Sequence, residues 1–561
     1  MLYYVEYFLH FHFIISIHGG ELSMHRSNSH SSPDTIDKNK LTTQQESSTI
    51  NTVLQYASTG FTLFNSIIAP LYDQTIGKLP YNACLWGYPF LGKFTQLFQP
   101  DGRGLDRLIT NTAKLATENN GIAWFRLGPS KNVVLVTEPD DIKTIMKDQI
   151  TNLSITDNTG SFRLFFGPDS IFAQTPFSEK WKELRRKFKH SLFTEDTLAY
   201  DVQPMQSIID ELIFNIETAN ANIVNDLEQF CNSITIEMIC LKLALKISEK
   251  DKENISRLIH NVILEIANPW NQFIAPYHPL YNFKQTKLSV LLESAWELLK
   301  KIITENEKAI RTSKNWLNPR ADVNIDLSLE SLEKIKYDVA QFLVAGHETT
   351  AKLLLFSLIL LTDKKHEKIL DEFRREISEK SQQLPVEKWT RETLKNLPYL
   401  DAVINEVLRL YPPIPDMIIK VSNPFSFKND TCHLNSGDII IISQRITGCL
   451  KKIWGDNALE FSPERFMKKN SPTSYEYFPF GFMPRQCIGQ HFAKQEVKLI
   501  LVRMMSKFNL RLSLTNGDPL LHPIPTNHIF TLQIGLKNIR FEFTPRSQEQ
   551  EFSYNNNVCR L

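Results

Sequence analysis

The stretch from Phe480 to Gly489 restricts what this chain can fold into more than any other part of its sequence. Cys487 stands between a loop that contains proline and glycine and a helical pattern that starts at Gln490. A helix N-terminus favours negative charge and lowers the pKa of a cysteine toward the thiolate, and a thiolate is a soft, strong donor to iron. Phe480 is expected to shield the sulfur from water, and Arg485 supplies a permanent cation suited to a carboxylate. Taken alone, a single cysteine in such a loop is more often an inert buried thiol.

A second constraint is the hexapeptide 345–350 inside the long apolar pattern from Leu332 to Leu361. Glycine and two adjacent threonines are poor choices in the middle of a helix, so their presence indicates a local purpose. The small Ala345 and Gly346 would let a flat cofactor and O2 approach the backbone. A threonine hydroxyl that bonds back to a carbonyl can open the helix and hold water, and Glu348 can pass protons inward. The alternative is a core helix with a polar kink.

Trp181 and Arg185 are four residues apart, so both lie on one face of a predicted helix. The indole N–H and the guanidinium can therefore reach one acceptor. The cations that follow, Arg186, Lys187 and Lys189, extend a basic patch that could dock an acidic electron donor by steering. Without further context, the segment is equally an amphipathic helix with an interfacial tryptophan and a solvated charged face.

In this combination the sequence resembles the cytochrome P450 family. The haem-ligand loop of that family reads Phe-Gly-x-Gly-x-Arg-x-Cys-x-Gly, and the matching residues are Phe480, Gly481, Arg485, Cys487 and Gly489. Met483 stands where the family usually has its second glycine, which leaves the loop geometry open at that position. The hexapeptide 345–350 resembles the oxygen-activation motif Ala/Gly-Gly-x-Asp/Glu-Thr-Thr/Ser of the family.

Glu406 and Arg409 resemble the Glu-x-x-Arg pair of the same family. Arg465, in the segment Pro463-Glu464-Arg465-Phe466, is the candidate third member of that network. Residues three apart on a helix can form such a pair. We expect the three side chains to be structural and to hold the chain that leads to Cys487.

The resemblance implies a haem b cofactor whose iron is bound axially by the Cys487 thiolate, with O2 as co-substrate. Thr349 would hydrogen-bond the oxygen that is being activated, and Glu348 would belong to the proton supply, so these two are the expected catalytic residues. His347 occupies the variable position of the motif and is not expected to be a ligand. The expected cofactor-binding residues are Cys487, Arg485, Phe480, Trp181, Arg185, Ala345 and Gly346.

The resemblance covers roughly residues 75–546 and implies one mainly α domain with a small β-rich region. Residues 1–52 are expected to form a tail that ends in a disordered polar linker. The apolar start of this tail falls short of the ~20 residues that span a bilayer, so it is at most a weak anchor. Residues 53–74 are typical of an amphipathic helix, which either packs on the domain or lies on a membrane surface. Residues 547–561 are expected to form a C-terminal tail.

Composition limits the kinds of molecule that this chain is expected to bind. A net charge of +1 over 561 residues argues against nucleic-acid binding. Seven cysteines without regular spacing indicate a reducing, intracellular environment and no disulfide framework. No flavin-, nicotinamide- or iron–sulfur-binding segment is visible, so electrons are expected from a separate flavoprotein reductase or ferredoxin-type protein. The localisation stays open between the cytoplasm and peripheral attachment to a membrane that faces the cytosol.

The expected reaction is the insertion of one oxygen atom from O2 into a small apolar organic substrate. Fatty acids and sterol-like molecules are the candidate substrate classes. In the resembling family the loop that matches 152–175 roofs the substrate pocket, and its apolar residues would form the lining. Those residues are Phe162, Leu164, Phe165, Phe166, Ile171 and Phe172. Two alternatives remain: a haem-thiolate isomerase or dehydratase, against which Glu348 and Thr349 argue, and an inactive haem-binding sensor, which Met483 keeps open.

Overall fold

The computed structural model describes most of the chain from residue 104 onward. The described residues are 79, 84–85, 104–127, 131–154, 165–174, 178–218, 223–267, 286–308, 329–468, 472–482, 484–514, 520, 523–528, 531–535 and 539–546. The chain divides into two units, Met1–Leu63 and Phe64–Leu561, and every described residue belongs to the second. The predictions for residues 1–52, 53–74, 547–561 and Met483 therefore lie outside the described residues.

Helices dominate this part of the chain, as predicted. They are α1 (Gly104–Glu118), α2 (Pro139–Lys143), α3 (Glu179–Leu192), α4 (Glu195–Thr218), α5 (Leu227–Lys242), α6 (Glu249–Ala267), α7 (Lys287–Glu305), α8 (Leu329–Thr362), α9 (Glu367–Gln383), α10 (Arg391–Lys395), α11 (Pro398–Leu410), α12 (Gln444–Cys449), α13 (Lys451–Trp454) and α14 (Gln490–Lys507). Polar side chains cap several N-termini, because the first N–H groups of a helix lack partners within it. Ser178, Asp226 and Thr286 each accept the backbone N–H three residues ahead.

The strands form small sheets. They are β1 (Ile122–Leu127), β2 (Lys131–Val136), β3 (Leu153–Ser154), β4 (Ile223–Val224), β5 (Asp416–Val421), β6 (Phe425–Phe427), β7 (Cys432–Leu434), β8 (Ile439–Ser443), β9 (Phe508–Leu514), β10 (Thr526–His528), β11 (Leu532–Ile534) and β12 (Ile539–Pro545). The largest sheet has the order β1-β2-β8-β5-β3, in which β1 and β2 form an antiparallel hairpin and β2 pairs with β8 in parallel. The two final strands do not pair with each other, since β11 pairs with β10 and β12 lies between β4 and β9.

Helix α8 runs through the core of the helical region. It packs against α5, α7, α9, α11 and α14. Its segment Ile335–Thr362 is long and apolar enough to cross a membrane, but 83% of its most apolar window is buried inside the fold. An apolar helix that is covered by other helices is a core helix, so α8 can carry polar groups into the protein interior.

The predicted Glu406–Arg409–Arg465 network is present. Arg409 donates Nε to Glu406 Oε2 at 2.7 Å and Nη2 to Glu406 Oε1 at 2.6 Å, and both side chains are fully buried. Arg465 donates Nε to the same carboxylate at 3.2 Å. The remaining donors of Arg409 reach the carbonyls of Gly448, Ala458 and Glu460. This ion cluster thus fastens the irregular chain after β8 to helix α11.

We expect Glu406→Gln to destabilise the fold by about 3–5 kcal/mol, because it leaves the buried Arg409 cation without its counter-charge. The measurement is chemical denaturation of the purified protein. Glu372→Gln is the matched control, since Glu372 also pairs with an arginine three residues away. Both side chains of that pair are about half exposed. That control should cost no more than about 1 kcal/mol, and equal losses in the two variants would contradict the structural role of Glu406.

A second buried glutamate, Glu496, differs from Glu406 in having no arginine bound to its carboxyl group among the described residues. Glu496 on α14 is fully buried, and neither carboxyl oxygen has a hydrogen-bond partner among the described residues. Burial raises the pKa of Glu496 well above its ordinary value. The carboxyl group therefore favours folding only while it is protonated.

Glu496→Gln is expected to flatten the pH dependence of stability. In the wild type the contribution of Glu496 is fully present below the pKa of the unfolded chain and is lost as pH rises toward the higher pKa of the folded state. The slope is at most about 1.4 kcal/mol per pH unit. Unfolding free energies from about pH 5 to about pH 8 should fall less steeply in the variant. The exposed Glu183→Gln should keep the wild-type slope, and a parallel wild-type and Glu496→Gln profile would show that Glu496 does not titrate as described.

Candidate active site

The cysteine predicted from the sequence lies at the N-terminal end of α14. Its backbone N–H donates to the carbonyl of Phe480 at 2.9 Å. The intervening loop turns through Gly481, whose φ of 74° lies in the region that favours glycine. Gly489 is the cap residue and the helix begins at Gln490. The predicted placement of Cys487 directly before a helix is therefore confirmed.

The sulfur of Cys487 is accessible and at the same time enclosed. The side chain is exposed, but desolvation by the surrounding protein raises the pKa of its thiol. The residue is therefore reachable although protein atoms surround its thiol on most sides. The N–H groups of Gly489 and Gln490 and the cation of Arg185 act in the other direction and favour the thiolate.

Trp181 and Arg185 of helix α3 meet Arg485 of the cysteine loop. The guanidinium carbons of Arg185 and Arg485 lie 5.4 and 5.3 Å from the ring centroid of the buried Trp181. Arg185 also donates Nη2 to the carbonyl of Gln486, next to the cysteine, at 2.7 Å. Helix α3 is thereby attached to the cysteine loop.

The donors in this cluster are only partly used. Arg485 donates its two terminal nitrogens to the carbonyls of Ile171 and Gln174. The indole Nε1 of Trp181 and the Nε of Arg485 are buried and have no partner among the described residues. Burial and the neighbouring Arg185 lower the pKa of Arg485 to about 10. An anionic acceptor would satisfy both donors and offset the charge repulsion, because buried donors without partners are costly.

Part of the hexapeptide on helix α8 is accessible. Between Gln341 and Leu361 every described side chain is buried except Ala345, Gly346 and Thr349, which are partly buried and form the accessible strip of α8. The hydroxyl of Thr349 donates to the carbonyl of Ala345 at 2.6 Å, which is the back-bonding that the sequence predicted.

The presence of glycine at position 346 has a packing reason that the sequence patterns did not reveal. A Cβ at this position would lie 2.7 Å from Cδ1 and 2.8 Å from Cγ1 of Ile239 on α5. The glycine is therefore explained by the close approach of helices α5 and α8. This packing contact is a structural reason for the glycine, and the expected place of Ala345 and Gly346 beside a flat cofactor stays a prediction.

Glu348 is held by residues that the sequence patterns did not reveal. Its Oε1 accepts from the hydroxyl of Thr531 at 2.6 Å and from Nε2 of Gln533 at 3.3 Å. Its Oε2 is buried and has no partner within the described part of the chain. Thr531 and Gln533 lie more than 180 residues away and carry no local motif, so only the tertiary structure could identify them.

His347 is not available to bind a ligand, in agreement with the expectation. Its Nδ1 lies 3.0 Å from the hydroxyl of Thr235, and its Nε2 lies 2.9 Å from the hydroxyl of Ser256. Burial lowers the pKa of His347 to about 3, so the ring is neutral near pH 7. Both ring nitrogens are thus occupied by hydrogen bonds to neighbouring helices.

Aromatic packing connects the cysteine loop with α8. The ring of Phe193, at the end of α3, lies 6.3 Å from that of Phe342 on α8 and 6.2 Å from that of Phe492 on α14. The same ring comes within 3.6 Å of a Cβ built on Gly489. The accessible strip of α8 and the thiol are therefore positioned by one shared core.

The expected roof of the substrate pocket is only partly as predicted. Phe165, Phe166 and Ile171 are buried in the main core, so they do not line an open space. Phe172 is exposed and packs 5.0 Å from the ring of Phe166. Ile171 donates its N–H to Gln341 on α8 at 3.1 Å and accepts from Arg485. Phe162 and Leu164 lie outside the described residues.

The sequence matches the family model of cytochrome P450 over residues 87–534. This match covers most of the chain and includes each residue of the site. The chain belongs to the cytochrome P450 family.

Curated relatives agree with this assignment. Cytochrome P450 72A397 of Kalopanax septemlobus is 35% identical over 33% of this chain and 34% of its own length. A cytokinin hydroxylase of Arabidopsis thaliana is 35% identical over 34% of this chain and 36% of its own length. Xanthotoxol synthase of Pastinaca sativa is 25% identical over 75% of this chain and 85% of its own length. The matched region thus spans about a third of the first two relatives and most of the third.

Cytochromes P450 are haem-thiolate monooxygenases, and the residues of this site fit a haem. Cys487 offers a sulfur that is accessible and supported by helix N–H groups. The unpartnered donors of Trp181 and Arg485 suit a propionate. Among the described residues no group of three or more His, Cys, Asp or Glu could hold a metal ion.

Gly346→Ala is expected to cost about 1–3 kcal/mol, because the added methyl overpacks the contact between α5 and α8. Ile239→Ala removes both atoms that would clash, so it should partly rescue Gly346→Ala although it creates a cavity in the wild-type background. Thermal unfolding of the two single variants and the double variant gives this coupling. Ile263→Ala, in a buried position on α6, is the control. Additive effects of Gly346→Ala and Ile239→Ala would refute the packing explanation.

Proposed function

We propose that this chain is a monooxygenase that inserts one oxygen atom from O2 into a small apolar organic substrate. The observation that carries the proposal is the pairing of an enclosed, accessible thiol at Cys487 with the accessible strip of α8 at Ala345 and Thr349. An isomerase or dehydratase would have no use for the Thr349 hydroxyl on that strip or for the buried Glu348 beside it. One of the relatives is named a hydroxylase, which is an oxygen-inserting activity.

The roles of the residues follow from their positions. A bound haem would supply the activation of O2 and the transfer of oxygen. Cys487 would hold its iron and, as a thiolate, would supply the electron density that this chemistry uses. Trp181, Arg185 and Arg485 would bind the propionates. Phe480 would shelter the thiolate from water.

Two side chains handle protons. The hydroxyl of Thr349 already reaches the carbonyl of Ala345, and it presents its oxygen at the accessible strip. Glu348 lies next to it in the chain and is buried among polar groups, so it can hold and release a proton near that strip.

The proposed electron donor is a separate protein with an acidic surface. Helix α3 exposes Lys182, Arg186, Lys187 and Lys189 on the side of the molecule that carries Trp181 and Arg185 inward. A cluster of exposed cations steers an acidic partner and speeds its association. Because α3 is attached to the cysteine loop, a donor on this surface would lie close to the thiolate.

The first test is the absorption spectrum of the reduced protein with carbon monoxide. We expect the strongly red-shifted haem band of thiolate ligation, because the N–H groups of Gly489 and Gln490 stabilise negative charge on Cys487. Cys487→Ser should lose that band. An unshifted band in the wild type would exclude the thiolate assignment and favour an inactive haem protein.

Thr349→Ala is then expected to divert electrons from product to hydrogen peroxide, because the hydroxyl near the activated oxygen is lost. Thr349→Ser is the matched control and should retain most of the coupling. The readouts are product, peroxide and reductant consumption with a surrogate reductase. Full coupling in Thr349→Ala would remove this residue from proton delivery, and product formation without O2 uptake would point to an isomerase or dehydratase.

A further inference from the structure

Glu348 is buried but has a neighbour that reaches solvent. The side chain of Glu348 is 6% exposed, whereas that of His260 on α6 is 42% exposed. The Nδ1 of His260 lies 4.0 Å from Oε1 of Glu348. A gap of this length is closed by one bridging water or a small rotation of the ring. His260 thus connects bulk water with the acid of the α8 strip.

The position of His260 is fixed by a second contact of the same helix. Ser256 lies one turn earlier on α6, and its hydroxyl is 2.9 Å from Nε2 of the buried His347. Residues four apart share a helix face. The bond between Ser256 and His347 therefore sets the register in which His260 lies over Glu348.

The carboxyl group of Glu348 is held in one orientation. Thr531 donates to Oε1, and Gln533 donates to both Oε1 and the hydroxyl of Thr531. Oε2 has no partner among the described residues, so it is the oxygen left to exchange a proton with the site. Thr531 and Gln533 do not titrate near neutral pH and position the acid without supplying protons.

The other charged groups around Glu348 are committed elsewhere. Lys352, one turn along α8, donates to Glu228 and to the side-chain oxygen of Gln533. Glu228 is about one-third exposed and reaches Glu348 only through Lys352 and Gln533. His347 is neutral near pH 7, because burial lowers its pKa to about 3. In the described part of the chain, this leaves His260 as the ionisable neighbour that both faces Glu348 and reaches solvent.

We propose that His260 is the entry point through which protons from solvent reach Glu348 during turnover. The imidazolium gives its proton to the carboxylate and recovers one from water, and Glu348 passes the proton on toward Thr349. This inference rests on the proposed monooxygenase function, which consumes protons. It adds a residue on a different helix to the acid and the hydroxyl of the strip.

The test compares His260→Gln with Arg257→Gln in the haem-loaded full-length protein. Arg257 is exposed on the same helix and contacts Asn254, so its variant also removes a positive charge from α6 without touching Glu348. We expect His260→Gln to lower turnover several-fold, raise the peroxide fraction, enlarge the solvent isotope effect and remove an inflection from the pH–rate profile. Arg257→Gln should leave all four quantities unchanged.

A second readout does not depend on activity. The two side chains are neighbours, so the losses in Tm caused by His260→Gln and Glu348→Gln should not add in the double variant. The losses caused by Arg257→Gln and Glu348→Gln should add, because Arg257 contacts Asn254. Additive losses for His260→Gln and Glu348→Gln would show that His260 does not interact with Glu348.

The outcomes separate the two proposals. A wild-type protein without the red-shifted carbon monoxide band or without O2-dependent product refutes the monooxygenase function. A coupled wild type with an unchanged isotope effect and peroxide fraction in His260→Gln refutes the entry role alone. A Tm effect combined with unchanged turnover would assign His260 to helix packing and also overturn the inference.

Discussion

The site depends on a simple requirement: the carbonyl groups of irregular buried chain must find donors. Around the cysteine loop arginines supply them. Arg409 donates to the carbonyls of Gly448, Ala458 and Glu460, Arg485 to those of Ile171 and Gln174, and Arg185 to that of Gln486. The planar guanidinium, with five donors in a fixed fork, can bind several separate segments of the chain at once. This is how a loop without regular hydrogen bonding can present a sulfur in a defined position.

The second feature is a polar interruption in an otherwise apolar helix. Helix α8 is buried along most of its length, yet it carries a histidine, a glutamate and two threonines at its centre. The histidine and the glutamate have partners that lie far away in sequence: Thr235 and Ser256 for His347, and Thr531 and Gln533 for Glu348. Thr349 instead bonds back to Ala345 within the helix. Buried polar groups are stable only when their hydrogen bonds are made. The reactive strip is therefore maintained by at least three other elements.

Local patterns predicted much of this molecule. The long apolar helix α8, the start of α14 at Gln490 and the placement of Cys487 before that helix follow from apolar periodicity and from the loop that contains proline and glycine. The back-bonding of Thr349 was also predictable, because a threonine inside a helix has few other acceptors. The purpose of Gly346 was not, since its contact with Ile239 depends on how closely two helices approach. The burial of Phe165 and Phe166 and the surroundings of Glu348 likewise come from tertiary packing, which spacing along the chain does not encode.

Ile171 joins two parts of the site through a single residue. Its N–H is bound by Gln341 of α8 and its carbonyl by Arg485 of the cysteine loop. Neither the amide of Gln341 nor the main chain at 171 contacts the reactive groups described above, but both hold Arg485 in place. A mutational screen that scores haem content by the colour of the purified protein would consequently overestimate the extent of the haem site. Substitutions at Gln341 would be scored as cofactor-binding defects, and the apparent boundary of the haem site would extend into the loop that covers it.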